Sequence, residues 1–209
     1  MPTATTIRFV VELNAAALRV AGLGAFFRPR DVDSLGVPYR QLRRLVATGI
    51  VDDLGGGLYR LAEIEASELE TVAMVAAAVP RAVVCLMTAL RVHEIGTESP
   101  HEVWIAIDRK ARRPARTPAQ VRVVRFSKAM LTYGVVRRPM LGVPVSITSP
   151  ARTVVDCFRY RNKFGLDTAL EALRDTLRQR LASVDEIMRA ANVCRARTIL
   201  KPYVDAVLS

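Results

Sequence analysis

Closely spaced metal ligands are missing from this 209-residue sequence. Its three cysteines, Cys85, Cys157 and Cys194, lie far apart, and they form neither a CxxC pair nor a Cys/His cluster. Structural zinc sites need such spacings, so we expect no metal and no cofactor. An odd number of thiols in apolar or helical segments favours a reducing compartment.

Catalytic patterns are equally scarce. The two histidines, His93 and His101, have no serine, cysteine or acid at motif spacing. The run Gly55-Gly56-Gly57 is not followed by the Lys-Ser/Thr pair of a phosphate-binding loop. The sequence therefore predicts no catalytic residues and a protein that is not an enzyme.

Long apolar segments are absent too. Residues 72–79 are apolar but too short to cross a bilayer, and a Pro-Arg pair ends them. Residues 1–11 lack the basic and apolar regions of a signal peptide. We expect a cytoplasmic protein with no membrane partner.

Acidic residues are in the minority. The chain has 31 Lys and Arg against 20 Asp and Glu, which gives a formal net charge of +11. Such a charge attracts polyanions, and arginine favours phosphate and base-edge contacts. The excess favours a nucleic-acid partner, although a GC-rich genome also enriches arginine.

Residues 29–61 have the order of a winged helix-turn-helix. A short helix over 29–35 begins at a proline, residues 36–38 (Gly-Val-Pro) form a turn, and a basic helix follows over 39–48. Residues 50–54 and 58–61 flank three glycines, which predicts a β-hairpin wing. An extra helix over 12–21 would complete the small core.

A helical wheel divides the basic helix into two faces. Its apolar side carries Tyr39, Leu42, Leu45 and Val46, and the arginines lie opposite. Arginine can read guanine and glutamine can read adenine in the major groove, whereas the alternative is a solvated surface. The predicted DNA contacts are Arg30, Tyr39, Arg40, Gln41, Arg43, Arg44, Gly56 and Arg60.

The rest of the chain predicts a second domain with a small sheet. We place the winged helix-turn-helix domain at residues 1–62 and an α/β domain at residues 63–209, an α+β fold overall. Periodicity predicts helices over 63–79, 82–94, from 149, 166–181, 183–191 and 198–208. The last of these helices is broken at Pro202 or begins there. Strands are predicted over 101–107, 121–126, 133–136 and 143–147.

A basic loop over residues 109–118 interrupts that sheet. Its cations are Arg109, Lys110, Arg112, Arg113 and Arg116. They could contact DNA phosphate, meet the acidic pocket of a protein partner, or form a solvated surface.

Two polar clusters have competing interpretations. Asp108 and Lys110 end an apolar strand as D-x-K, which is compatible with a metal-dependent nuclease if Glu98 or Glu102 supplied a second acid. That remains a remote alternative. Arg152 and Asp156 are spaced to pair along a helix that Ser149 caps, so we interpret them as structural.

Four segments of the second half carry a resemblance to a known family. They are EVWIAI (102–107), TSPARTVVDCF (148–158), GLDTALEALRDTL (165–177) and SVDEIMRAA (183–191). With the basic winged helix, they resemble AbiEi-type antitoxins, regulators of type IV toxin–antitoxin modules.

The resemblance implies two activities. The N-terminal domain would repress transcription by binding repeats in its own double-stranded promoter DNA, and we expect these repeats to be inverted. The DNA contacts would come from residues 38–44 and 55–60. The C-terminal domain would antagonise a nucleotidyltransferase toxin encoded alongside. The alternative is a winged-helix repressor whose second domain senses a ligand or dimerises.

Overall fold

The computed structural model describes residues 22–23, 25–62 and 69–208. The predicted helix over 12–21 and the beginning of the helix predicted over 63–79 lie outside the described residues.

The first unit is a winged helix-turn-helix, as the sequence predicts. Helix α1 (Pro29–Asp33) is followed by a turn and by α2 (Tyr39–Ala47), and strands β2 (Val51–Asp53) and β3 (Tyr59–Leu61) form the wing. A strand that the sequence did not predict, β1 (Phe26–Phe27), pairs with β3, so the sheet order is β1-β3-β2. Two residues are too few to show an alternating pattern.

The two helices pack because their apolar side chains converge. Val32 of α1, Val37 of the turn, and Leu42 and Leu45 of α2 form one buried cluster with Phe27, Val51 and Tyr59 of the strands. Leu42 and Leu45 are fully buried. This core fixes which side of α2 faces solvent.

The second unit is built on a five-stranded sheet. Its strands are β4 (Val83–Val84), β5 (Val103–Asp108), β6 (Val121–Phe126), β7 (Val135–Met140) and β8 (Val143–Thr148). Their order is β6-β5-β4-β8-β7, with β5 parallel to β6 and β4 parallel to β8. The helix predicted over 82–94 is wrong at its start, because Val83 and Val84 join this sheet; a short apolar run is ambiguous between strand and helix.

Helices cover one face of the sheet. They are α4 (Leu86–Val92), α5 (Lys128–Thr132), α6 (Pro150–Phe164), α7 (Leu166–Arg178), α8 (Val184–Val193) and α9 (Arg197–Leu208). Trp104, Ala106 and Phe126 point from the strands into this helical core. The last helix runs through Pro202 rather than breaking there, since Leu200 and Val204 on either side of it are buried.

The other face of the sheet meets α3 (Glu70–Ala78) and the winged unit. Ile147 and Val145 share a buried cluster with Phe26 and Leu58 of the winged unit and with Val72 of α3. The winged unit is thus fastened to the second unit by a continuous apolar contact.

Candidate nucleic-acid interface

The solvent side of α2 is basic. Arg40 and Arg43 are exposed, while Gln41 and Arg44 are half-buried. No acidic residue occurs within the helix. Guanidinium groups in this position can reach base edges and phosphates, because the opposite face of the helix is fully occupied by the core.

Tyr39 does not pack in that core as the wheel predicted. Its exposed fraction is 55%, because it occupies the first position of α2 before the helix reaches the apolar cluster. Burial, and then the neighbouring Tyr39 side chain, raises the pKa of Tyr59 to about 12. Tyr39 therefore remains available at the surface.

A chain of polar contacts joins α2 to the wing. The Arg43 guanidinium lies 3.8 Å from the Asp53 carboxylate at the end of β2. Asp53 also accepts a hydrogen bond of 2.9 Å from the backbone N–H of Gly55 at the start of the glycine turn. The basic helix and the wing tip therefore hold a defined relative position.

Arg60 is not available for phosphate as the sequence predicted. Its guanidinium binds the Asp52 carboxylate at 2.6 Å across the hairpin, and it also bonds to Glu70 of α3. Glu70 is only 14% exposed. Arg60 thus ties the wing to the second unit, and a contact with DNA phosphate would require it to break these ion pairs.

The remaining predicted contacts are at the surface. Arg30 on α1 is 76% exposed and lies 3.7 Å from its neighbour Asp31. Gly56 at the wing tip is exposed, and its φ of +62° is the left-handed conformation that glycine adopts easily.

The basic loop lies beside the wing. All five cations, Arg109, Lys110, Arg112, Arg113 and Arg116, are exposed. None of them forms an ion pair with another described residue. Arg125 braces the start of the loop through the backbone oxygens of Asp108, at 2.9 Å, and Ala111. Arg116 lines a cleft together with Gly55 and Gly56 of the wing.

The D-x-K sequence does not assemble into a nuclease site. The Asp108 carboxylate accepts a hydrogen bond of 2.8 Å from the backbone N–H of Lys110 and so caps a turn. Glu102 is paired with Arg122 at 2.5 Å, and Glu98 accepts from the Thr168 hydroxyl at 3.0 Å. Within the described ranges, no three His, Cys, Asp or Glu side chains converge as metal ligands.

Arg152 and Asp156 form a buried pair, as predicted. Both side chains are fully buried, and their contact is 3.0 Å. Arg152 also donates to the backbone oxygens of Met130 and Tyr133, at 3.0 and 2.7 Å. Burial raises the pKa of Asp156 to about 6, although the Arg152 guanidinium acts in the opposite direction. The pair anchors α6 to the turn before β7.

The thiols and His93 belong to the interior. Cys85, Cys157 and Cys194 are free and buried, and burial raises the pKa of each thiol. The Nε2 atom of His93 lies 2.7 Å from the backbone oxygen of Thr148, and burial lowers the pKa of this imidazole.

Sequence reasoning missed Arg28. Its guanidinium donates to the last carbonyls of α3, at 3.2 Å to Ala77 and 2.9 Å to Ala78, and it also lines the cleft beside the wing. These acceptors are about fifty residues away along the chain, so no local spacing could reveal the contact.

Comparisons with known proteins identify the family of this chain. The family model described as "Transcriptional regulator, AbiEi antitoxin" matches residues 16–62, and the model described as "AbiEi antitoxin C-terminal domain" matches residues 82–202. The second match alone covers more than half of the 209 residues. The chain belongs to the AbiEi antitoxin family.

Membership establishes the general activity. This AbiEi antitoxin is part of a toxin–antitoxin system and is a DNA-binding transcriptional regulator. The family is regulatory rather than catalytic. None of the described helices is both long and apolar enough to span a membrane.

A solved structure shares the fold. The crystal structure of RV2827C protein from Mycobacterium tuberculosis matches with a TM-score of 0.54 and 16% identity, over 85% of this chain and 71% of that chain. At this identity the likeness supports the architecture alone. A sequence search of curated proteins finds no match.

Proposed function

We propose that this antitoxin is an autorepressor that binds inverted repeats in its own promoter and antagonises a nucleotidyltransferase toxin encoded beside it. Residues 1–62 form the DNA-binding domain and residues 63–209 the antitoxin domain. The protein performs no catalytic step, and it acts in the cytoplasm, where both its DNA and its toxin would be found.

The observation that carries the DNA part is the basic face of α2. Arg40 is exposed and has no ion-pair partner among the described residues, and Arg43 keeps only a long contact with Asp53. A guanidinium held in an internal salt bridge would have to break that bridge to bind DNA. Arg40 has no such cost, and one bidentate contact with guanine is worth about 1–3 kcal/mol of discrimination.

The proposal that residues 63–209 carry the antitoxin activity is supported by the second unit, which has its own sheet and its own core. The C-terminal family match spans its sheet and most of its helices. Its core contains the Arg152–Asp156 pair and is shared among α4, α6, α7, α8 and α9. Changes on the exposed face of α2 therefore leave this scaffold intact, which makes the two activities separable.

The test uses the double variant Arg40→Ala/Arg43→Ala in two assays. A reporter under the chain's own promoter measures repression, and growth during co-expression of the neighbouring nucleotidyltransferase measures neutralisation. We expect the variant to lose repression and keep neutralisation. Arg174→Ala/Arg189→Ala removes the same charge from exposed positions on α7 and α8 and is the matched control for repression, which should stay at the wild-type level.

Two results would contradict the proposal. If the α2 variant repressed as well as the wild type, α2 would not be the DNA-reading element. If the wild-type chain did not rescue growth from the neighbouring toxin, the partner would be wrong, and a repressor with a ligand-sensing or dimerising second domain would take its place.

A further inference from the structure

A cleft of about 230 Å³ lies between the wing and the basic loop. Residues from three parts of the chain line it: Arg28 and Ala78 at the junction of the two units, Leu54, Gly55, Gly56 and Leu58 of the wing, and Arg116, Thr117 and Pro118 of the loop. A water molecule takes about 30 Å³ in the liquid. The cleft is therefore large enough in volume for a phosphate group.

The lining has the chemistry that an anion requires. Arg28, Arg116 and Thr117 line the cleft, and none of the described residues that line it is acidic. The carboxylate nearest along the wing, Asp53, accepts a hydrogen bond of 2.9 Å from the N–H of Gly55. Among the described residues Arg116 has no ion-pair partner, whereas the Arg28 guanidinium already donates to the oxygens of Ala77 and Ala78, so Arg116 supplies the unpaired positive charge of the cleft.

Contacts between the two units fix the position of the wing beside α3. The backbone N–H of Ala25 donates to the oxygen of Leu141 at 2.8 Å, and Arg28 donates to Ala78 at 2.9 Å. Arg60 bonds to Glu70 on the other side of the wing. These contacts accompany the buried apolar cluster that joins the units. The wing therefore keeps a fixed place beside α3, and Arg125 fixes the start of the basic loop through the oxygens of Asp108 and Ala111.

The same structure connects the cleft to α2. Arg43 of α2 contacts Asp53, Asp53 binds Gly55, and Gly55 lines the cleft. A duplex that meets the basic face of α2 and the tip of the wing would bring its backbone to the loop.

We propose that a DNA backbone phosphate occupies this cleft, so that the basic loop of the second unit strengthens promoter binding rather than contacting the toxin. The inference rests on the proposed function, since it needs promoter binding by α2. It adds that the DNA footprint crosses from the winged unit to the second unit.

The first test places a charge at the wing tip. Gly56 has a φ of +62°, and an added Cβ meets no atom within 4 Å. Asparagine and aspartate both tolerate this backbone conformation and have nearly the same shape. Gly56→Asn is therefore the control for Gly56→Asp, and their difference is the charge.

We expect Gly56→Asp to bind a promoter duplex about fivefold more weakly than Gly56→Asn at low salt, the size of a unit-charge repulsion near 4 Å in water. Raising the salt concentration should reduce the difference. Equal affinities for the two variants would overturn the proposal.

The second test removes loop cations. Arg113→Ala/Arg116→Ala is compared with Arg174→Ala/Arg189→Ala, which removes the same charge from exposed positions on α7 and α8. The slope of log K against log salt should fall by roughly 0.9 for each lost phosphate contact, which corresponds to about fivefold in affinity near 0.15 M salt. The control pair should keep the wild-type slope.

The outcomes separate the two claims. If wild type binds its promoter and the loop pair keeps the wild-type slope, the cleft does not hold phosphate and only this inference fails. If the loop pair keeps the slope but no longer rescues growth from the toxin, the loop is a toxin contact. If wild type does not bind its promoter, the proposed function and this inference fail together.

Discussion

Arg40 in the winged unit and Arg152 in the second unit are the same side chain in opposite environments. Arg40 is exposed and has no ion pair with another described residue, whereas Arg152 is fully buried and is held by Asp156, Met130 and Tyr133. The first is free to bind a partner, and the second is committed to the fold. A high arginine content therefore says little until each guanidinium is located.

Removing Arg152 should have the largest effect on stability. Arg152→Ala leaves Asp156 buried without its partner and frees two backbone acceptors, so we expect a loss of about 3–5 kcal/mol of unfolding free energy. Urea unfolding measures it. The double variant Arg152→Met/Asp156→Leu removes both charges and should recover part of the loss; no recovery would mean that the pair is not the source of the cost.

The ionisation of Asp156 gives the second prediction. Its pKa is raised from 3.8 to about 6 by burial. The folded state therefore holds this proton more tightly than the unfolded state. Asp156 therefore contributes to the free energy of unfolding, and this contribution is fully present below about pH 4. It is lost as the pH rises to about 6, and the total loss is about 3 kcal/mol.

The measurement compares wild type with Asp156→Asn. The unfolding free energy of wild type minus that of the variant should fall between pH 4 and pH 6. A difference that rises with pH would show that the attraction of Arg152 outweighs burial and lowers the pKa.

Gly134 and Gly36 have similar backbone conformations but differ in how closely other atoms surround them. A Cβ at Gly134 would lie 2.9 Å from the Cβ of Arg152, and its φ is +62°. Gly36 in the turn of the winged unit has a similar φ of +70°, with nothing within 4 Å. Gly134→Ala should therefore cost about 1–3 kcal/mol more than Gly36→Ala. Equal melting temperatures for the two variants would contradict the crowding around Arg152.

Arg60 is intermediate between the exposed Arg40 and the fully buried Arg152, because it is half-buried and ion-paired. Arg60→Ala removes its contacts to Asp52 and Glu70, and we expect a loss of about 1–2 kcal/mol in stability. Promoter affinity at a temperature where the variant is folded should change less than it does in Arg40→Ala. A larger loss of affinity than in Arg40→Ala would return Arg60 to the DNA interface.

The sequence predicted the winged unit well because its signals are local. Proline, the glycine turn and the spacing of Leu42 and Leu45 lie within about twenty residues. The pairing of Arg152 with Asp156, four residues apart on one helix, is local in the same way.

Contacts between distant residues could not be predicted. Arg60 was misassigned because Glu70 lies on another element, and Arg28 was missed because its acceptors end α3. The position of the basic loop beside the wing depends on the strand order of the sheet and on how the two units pack. Neither property is encoded in a spacing.

The central claim is that the exposed arginine face of α2 reads promoter DNA. Its most direct test is the ratio of affinities of Arg40→Ala and wild type for a promoter duplex and for an unrelated duplex at one salt concentration. We predict that the variant loses about 1–3 kcal/mol of preference for the promoter while its stability stays within about 0.5 kcal/mol of wild type. An unchanged preference would contradict the account.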